Sequence, residues 1–238
     1  MEPVRPEFSS RPIPLPAGEG GHHRILPVRP IIAPELDLYV RELVPPRDPV
    51  IAEMEAYAAE HDVPIVGPVV ATLLEILARS IGAARVFEMG SAIGYSTAFF
   101  ARAVGRGGKV FYTDGDPKNA GRARGYLDRM ELSERVAFRV GDAVKALEET
   151  TGYFDVVFID VDKDGYPEAL QAAAPRVRRG GYLLADNVLW SGKVVDAGAR
   201  DAATEGIRQF NRTLFSLDEF RAVIVPLRDG VAIARREG

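Results

Sequence analysis

The stretch Ala84-Arg85-Val86-Phe87-Glu88-Met89-Gly90-Ser91-Ala92-Ile93-Gly94-Tyr95-Ser96 decides the fold. Its first part is a short apolar run of strand type; its second is a turn with two glycines, and Ser96 can cap a helix over residues 96–104. A strand that passes through a glycine turn into a helix opens a βα unit. Outward from it the alternation repeats. Residues 84–88, 109–114, 136–140, 154–160 and 181–186 read as strands, separated by helical stretches over 96–104, 117–130, 143–150 and 166–177. Right-handed crossovers of this kind build a parallel sheet with helices on both faces. After a helix near 204–217, residues 220–225 and 230–234 read as two strands joined by 226–229, an antiparallel hairpin at the sheet edge. The expectation is an α/β fold with a mainly parallel, seven-stranded sheet.

Upstream, helices are expected over 34–43, 49–61 and 68–81. Pro34 suits a first helical turn, and Leu36, Tyr39, Val40 and Leu43 share one face before Pro45 and Pro46 end it. Residues 1–33 hold seven of the 17 prolines and read as an extended arm, leaving 34–238 as one domain. His22 and His23 in that arm read as solvated loop residues, since a metal there would lack a third ligand. With 238 residues, 47% hydrophobic and 27% charged, the chain can bury a sizeable core. No run approaches the roughly 18 apolar residues of a membrane span, and the first residues lack the apolar core of a signal peptide, so no membrane partner and a cytoplasmic location are expected. The chain has no cysteine and three histidines, which excludes disulfides and thiolate metal sites and leaves oxygen ligands for any metal. Its net charge of -4 argues against a nucleic-acid grip by bulk charge.

Ligands of an open α/β sheet bind at the carboxyl ends of the strands, and the chemistry-bearing residues fall there. Gly90 and Gly94 permit close backbone approach to a ligand. Asp114 ends the second strand 20 residues after Gly94, where an acid can accept both hydroxyls of a ribose. The glycines are four apart, and the G-x-G-x-x-G that admits a pyrophosphate is missing. A nucleoside ligand without phosphates follows, and S-adenosylmethionine fits. Asp142, after the third strand, suits an adenine amino group and equally a helix N-cap. Asp160-Val161-Asp162-Lys163-Asp164-Gly165 opens like a calcium loop, but the twelfth position is Gln171 and a strand precedes it. Asp160, Asp186 and Asn187 instead converge from neighbouring strand ends, a donor set suited to Mg²⁺ or another divalent cation, or else are separate loop caps.

From about residue 35 to its end the chain resembles the cation-dependent S-adenosylmethionine O-methyltransferases, the family of the caffeoyl-CoA and catechol enzymes. The resemblance rests on Glu88-x-Gly90-x-x-x-Gly94-Tyr95-Ser96, Asp114, Phe158-Ile159-Asp160-x-Asp162-Lys163, Gly180-Gly181, Asp186-Asn187-Val188-Leu189-Trp190 and Asp229-Gly230. It implies a Rossmann-like class I methyltransferase fold and a metal on Asp160, Asp186 and Asn187. It also implies cofactor contacts from Glu88, Gly90, Ser96, Asp114, Asp142, Ala143 and Asp160, with Lys163 accepting the substrate proton. Val66 stands at a cofactor-contacting position where the family often has Met, and Arg228-Asp229-Gly230 replaces its usual Gly-Asp-Gly. The family tends to dimerise, so a homodimer is implied.

Methyl transfer from a sulfonium is an in-line displacement, for which the oxygen nucleophile must be positioned and made anionic. A cation that binds two oxygens on adjacent carbons points to a vicinal dihydroxy aromatic small molecule as acceptor. Trp190 can wall such a ring or belong to the core, and Asp229 lies at the substrate edge. Residues 56–65 and 91–96 also resemble the bacterial branch that methylates 5-hydroxyuridine in tRNA, which gives a tRNA substrate as the alternative. The densest basic cluster, Arg176, Arg178 and Arg179, reads as a solvated helix end.

Overall fold

The computed structural model describes residues 31–45 and 48–238. The arm through Pro30, with His22 and His23, and the expected helix breaker Pro46 lie outside the described residues. Three helices come first: α1 (Pro34–Glu42), α2 (Pro49–Glu60) and α3 (Gly67–Ser80). Then follow β1 (Arg85–Met89), α4 (Tyr95–Ala103), β2 (Lys109–Asp114), α5 (Pro117–Arg129), β3 (Val136–Val140), α6 (Ala143–Glu149), β4 (Phe154–Ile159), α7 (Tyr166–Ala173) and β5 (Val177–Ala185). Last come α8 (Ala202–Leu214), β6 (Phe220–Val225) and β7 (Val231–Arg236). The sheet order is β3-β2-β1-β4-β5-β7-β6, with β7 antiparallel to both neighbours. The expected C-terminal hairpin is present, and β7 is its inner strand. Strand order reverses between β1 and β4, which makes that junction the switch point where such folds bind ligands. Among the described residues no helix is long and apolar enough to cross a membrane.

Period-two alternation divides the strands between two cores. Val86 of β1, Val156 and Phe158 of β4 and Leu184 of β5 face one layer with α2, α3, α4 and α5. Phe87, Met89, Val157, Ile159, Leu183 and Ala185 face the other, with α7 and α8. With both faces covered, the strands are nearly continuous apolar runs, which is why they are legible in the sequence. Phe87 and Phe154 meet edge to face at 5.2 Å in the second layer, and burial of each ring stabilises by about 1.5–3 kcal/mol.

One boundary differs from the expectation. Helix α7 stops at Ala173, ahead of Pro175, and β5 begins at Val177, where helix was expected. The register shifts so that Phe154 pairs with Val177 but Val156 with Tyr182, and the extra residues, Arg178 to Gly181, form a bulge. Two arginines and two glycines give no alternation to read. Arg176 is not a solvated helix end either: its guanidinium donates to the carbonyls of Leu147, Thr150 and Gly152. Arg178 pairs with Asp155.

Helix α8 buries Ile207, Phe210 and Leu214 and packs on α7, where Tyr166 and Phe210 meet at 5.2 Å. Its approach to the turn at Lys163–Gly165 depends on Gly206, where a Cβ would come 2.4 Å from the Lys163 carbonyl oxygen and 2.9 Å from the Asp164 Cα. In an open helix Gly→Ala stabilises by about 1 kcal/mol, whereas overpacking costs about 1–3 kcal/mol. Gly206→Ala should therefore lose about 1–2 kcal/mol in urea unfolding, and a gain in stability would show that the two segments are free to separate.

Candidate active site

A cavity of about 1690 Å³ lies over the carboxyl ends of the parallel strands. That exceeds a typical single-ligand pocket of roughly 300–1,000 Å³ and leaves room for two ligands. Gly90, Ala92, Asp114, Asp142, Ala143, Asp160, Asp186, Asn187 and Trp190 line it. Asp37 and Arg41 of α1 and the α2–α3 connection from Asp62 to Gly67 also contribute, though Val66 does not.

Three carboxylates meet at the switch point. Glu88 occupies a core-facing position of β1, in phase with Val86, and is fully buried. Burial pushes its carboxyl up to about 7, against the hydroxyls of Ser96, Thr97 and Ser91, and the charge of Asp160 adds to the rise. Thr97 donates to Oε2, while Oε1 is buried without a hydrogen-bond partner. Asp160 follows β4, its N–H donating to the Met89 carbonyl at 2.8 Å. Asp186 follows β5, is 2% exposed, and takes the Asn187 N–H on Oδ1 at 2.8 Å. Burial raises its pKa first and the Asp160 charge second, opposed by the Asn187 N–H, Arg228 and Lys163. Asn187 sits at φ 57°, a left-handed conformation that asparagine tolerates well.

Lys163 stands between two acids in the chain, Asp162 and Asp164, with which a surface lysine would pair. Its Nζ donates instead to Asp160 Oδ1 at 2.8 Å, Tyr166 Oη at 2.9 Å and the Val161 carbonyl at 3.2 Å. The short 3₁₀ turn at Lys163–Gly165 curls the side chain back over its own strand end and away from its acidic neighbours. The buried Tyr166 hydroxyl passes the chain on to the Asp186 carbonyl at 2.8 Å. Nothing in the sequence marked Tyr166 as part of the site, because an aromatic in the first turn of a helix reads as core.

Several expected residues have other work. Gly94 is itself the α4 N-cap, so Ser96 lies inside the helix facing Glu88 and caps nothing. A Cβ at Gly90 would sit 2.2 Å from the Asp160 carbonyl oxygen, and one at Gly94 would sit 2.7 Å from the Ala123 Cβ. Both glycines provide clearance between chain segments, and Gly90 also lines the cavity. Val66 is 3% exposed, because its apolar side chain joins the core while Ile65 and Gly67 form the wall. Glu88 and Ser96 likewise lie beneath the cavity surface. Asp114 stands on the wall, accepting the Ala92 N–H at 3.0 Å on Oδ2, and the Asp116 N–H at 2.8 Å and Asn119 Nδ2 at 3.1 Å on Oδ1. Asp142 caps α6 through the Lys145 N–H at 2.8 Å, and Ala143 follows at the rim. Trp190 lies on the wall at φ 47°, its indole N–H buried without a partner. Asp229 stays off the wall and accepts the Ser191 N–H, so it fixes the Trp190 loop. Among the described residues no three His, Asp or Glu side chains form a metal cluster. The available donors are two carboxylates and an amide.

A protein-family model described as O-methyltransferase matches residues 47–237. A catechol O-methyltransferase from Niastella koreensis is 34% identical over 210 residues, covering 84% of this chain and 95% of the relative. One of the same name from Mycobacterium tuberculosis is 34% identical, covering 78% and 84%. Among solved structures, an O-methyltransferase from Bacillus cereus in complex with SAH superposes with a TM-score of 0.78 at 30% identity, covering 85% of this chain and 97% of that one. An O-methyltransferase from Streptomyces achromogenes in complex with SAM gives 0.78 at 28% identity, covering 86% and 96%.

Glu88 and Asp186 bind a proton more tightly in the folded chain than in the unfolded one. Between the ordinary carboxylate range and about pH 7 the folded state therefore holds more protons, and stability falls as pH rises through that window. The melting temperature of the ligand-free protein should drop by several degrees from pH 5 to pH 7.5, with a shallower slope in Glu88→Gln. Equal slopes in the two proteins would remove Glu88 from the account.

Proposed function

The chain belongs to the O-methyltransferase family and is an S-adenosylmethionine-dependent enzyme, and from that premise we propose that it methylates a hydroxyl of a small vicinal dihydroxy aromatic with the help of a divalent cation. The observation that carries the reading is the convergence of Asp160, Asp186, Asn187 and Lys163 on one cavity wall that continues to Asp114. The donor set fits a hard cation: Asp186 is almost excluded from water and carries the repulsion of Asp160, and all three side chains offer oxygen. Asp160, Asp186 and Asn187 would hold the ion, which when bound supplies acidification of the acceptor hydroxyl. Mg²⁺ is the first candidate.

Asp114, Gly90, Asp142 and Ala143 are assigned to the nucleoside end of the cavity. Asp114 retains accepting capacity beyond its three protein donors, since a carboxylate has about four lone-pair sites. Lys163 is assigned to the proton of the acceptor hydroxyl. Tyr166 and the Val161 carbonyl hold its Nζ at the wall, and the Asp160 contact is the one to be exchanged when an acceptor enters. Trp190 is assigned to the aromatic ring as a side wall. The names of the two relatives at 34% identity support an acceptor of this class. The charge of the wall disfavours the tRNA alternative: carboxylates outnumber its cations, which are Arg41, Lys163 and Arg228. Arg176 and Arg178 are committed to carbonyls and to Asp155 at the opposite ends of the strands.

Three measurements test the reading. Chelation should abolish turnover and Mg²⁺ restore it, with a catechol methylated far faster than a monophenol of equal size; full activity in excess chelator with negligible bound metal would sink the cation. Lys163→Ala should lower kcat by roughly 10²–10⁴ with cofactor affinity nearly intact. A normal kcat with chemistry rate-limiting would clear Lys163 of the role. Asp114→Ala should weaken S-adenosylmethionine binding by about 1.5–3 kcal/mol in calorimetry, and an unchanged affinity in the folded variant would remove Asp114 from the cofactor site.

A further inference from the structure

The turn between β6 and β7 holds an arginine where the backbone favours glycine: Arg228 has φ 49°. A long side chain at a strained position calls for a reason in what its head group does. The Arg228 guanidinium lines the same cavity as Asp186, Asn187 and Lys163. Nη1 donates to the Ile65 carbonyl at 3.0 Å, and a Cβ at Gly67 would come 3.0 Å from that nitrogen, so a bare glycine makes room for the group. This is its one hydrogen bond among the described residues, where it makes no ion pair. Lys163, by contrast, is neutralised by Asp160. Its charge is felt at Asp186 and at Asp229, which places it at the acceptor end of the cavity.

A wall dominated by carboxylates repels an anion except beside such a cation. A guanidinium anchored at one nitrogen still presents N–H groups on the others, in the planar geometry that suits a carboxylate. We infer that Arg228 binds a carboxylate on the acceptor, so that the preferred substrate is an acidic vicinal dihydroxy aromatic. The inference rests on the proposed function and adds the charge of the substrate to it. The amino-acid end of the cofactor is a second source of a carboxylate in the same cavity, and the experiment separates the two.

Steady-state kcat/KM is measured for 3,4-dihydroxybenzoate and for its methyl ester, with the wild type, Arg228→Gly and Arg228→Gln, alongside calorimetric S-adenosylmethionine affinity. Arg228→Gly should lower the acid-to-ester ratio of kcat/KM by about 10- to 100-fold, mainly through KM of the acid. Arg228→Gln keeps most of the side-chain length without the charge and should show the same direction, which covers the case of a poorly folded glycine variant. A ratio that does not move, or acid and ester falling together, overturns the inference and leaves the proposed function standing. Weakened cofactor binding with an unmoved ratio overturns it by assigning Arg228 to the cofactor. A wild type inactive on every catechol overturns both readings.

Discussion

Asp160, at the end of β4, has to deliver a negative charge to the junction with β1 on one side and β5 on the other, where Glu88 and Asp186 are already buried. Its main chain closes the junction, since the N–H bonds Met89 and the carbonyl lies where any side chain at residue 90 would go. Its side chain charges the junction, raising both neighbouring carboxyls and holding the Lys163 ammonium. Backbone closure requires Gly90, and the charge requires a counterion. The remaining architecture follows from those two demands. Tyr166 steadies the lysine, α8 presses on the lysine turn through Gly206, and the hydroxyls of α4 face Glu88.

The sheet was legible in the sequence because both its faces are covered, so each central strand is a compact apolar run bounded by turn residues. The acids at the strand ends were legible for the opposite reason: Asp114, Asp160 and Asp186 interrupt that apolarity at the ends of β2, β4 and β5. What escaped was set by contacts between distant segments. Ser96 looked like a cap because hydroxyls prefer that position, and the structure turns it onto a carboxylate from another element. A glycine inside a helix costs stability, and only the turn opposite Gly206 explains its place there. The start of β5 was hidden by a bulge whose four residues have no pattern. In α1 the shared face of Leu36, Tyr39 and Leu43 was legible as periodicity, yet those side chains remain exposed, so periodicity alone did not predict burial.

Charge is sorted along the strand direction. Arginines gather where the parallel strands begin, with Arg85, Arg176 and Arg236 bonding backbone carbonyls there. Carboxylates gather where those strands end, and several of them cap helices: Asp116, Asp142 and Asp201 each accept an N–H from the first turn that follows. Helix N-termini carry partial positive charge, so the βα arrangement prepares that end of the sheet for acids. This is how the wall of the cavity tolerates so many of them without an equal number of cations.

The segment after β5 takes left-handed backbone angles at Asn187, Trp190, Ser191 and Gly192, and it is tied to the far end of the chain. Val188 and Leu189 donate to the carbonyls of Gly230 and Asp229, and the Ser191 N–H to the Asp229 carboxylate. The tryptophan wall and the arginine therefore belong to one clasp, closed by a short turn that lies outside the sheet. Asp229 and Gly230 are held by the Trp190 segment, whereas among the described residues the arginine head group bonds only the Ile65 carbonyl. On the proposed reading, descendants of this sequence could therefore exchange one acceptor for another at Arg228 alone, so that transfer and choice of recipient can mutate on separate schedules.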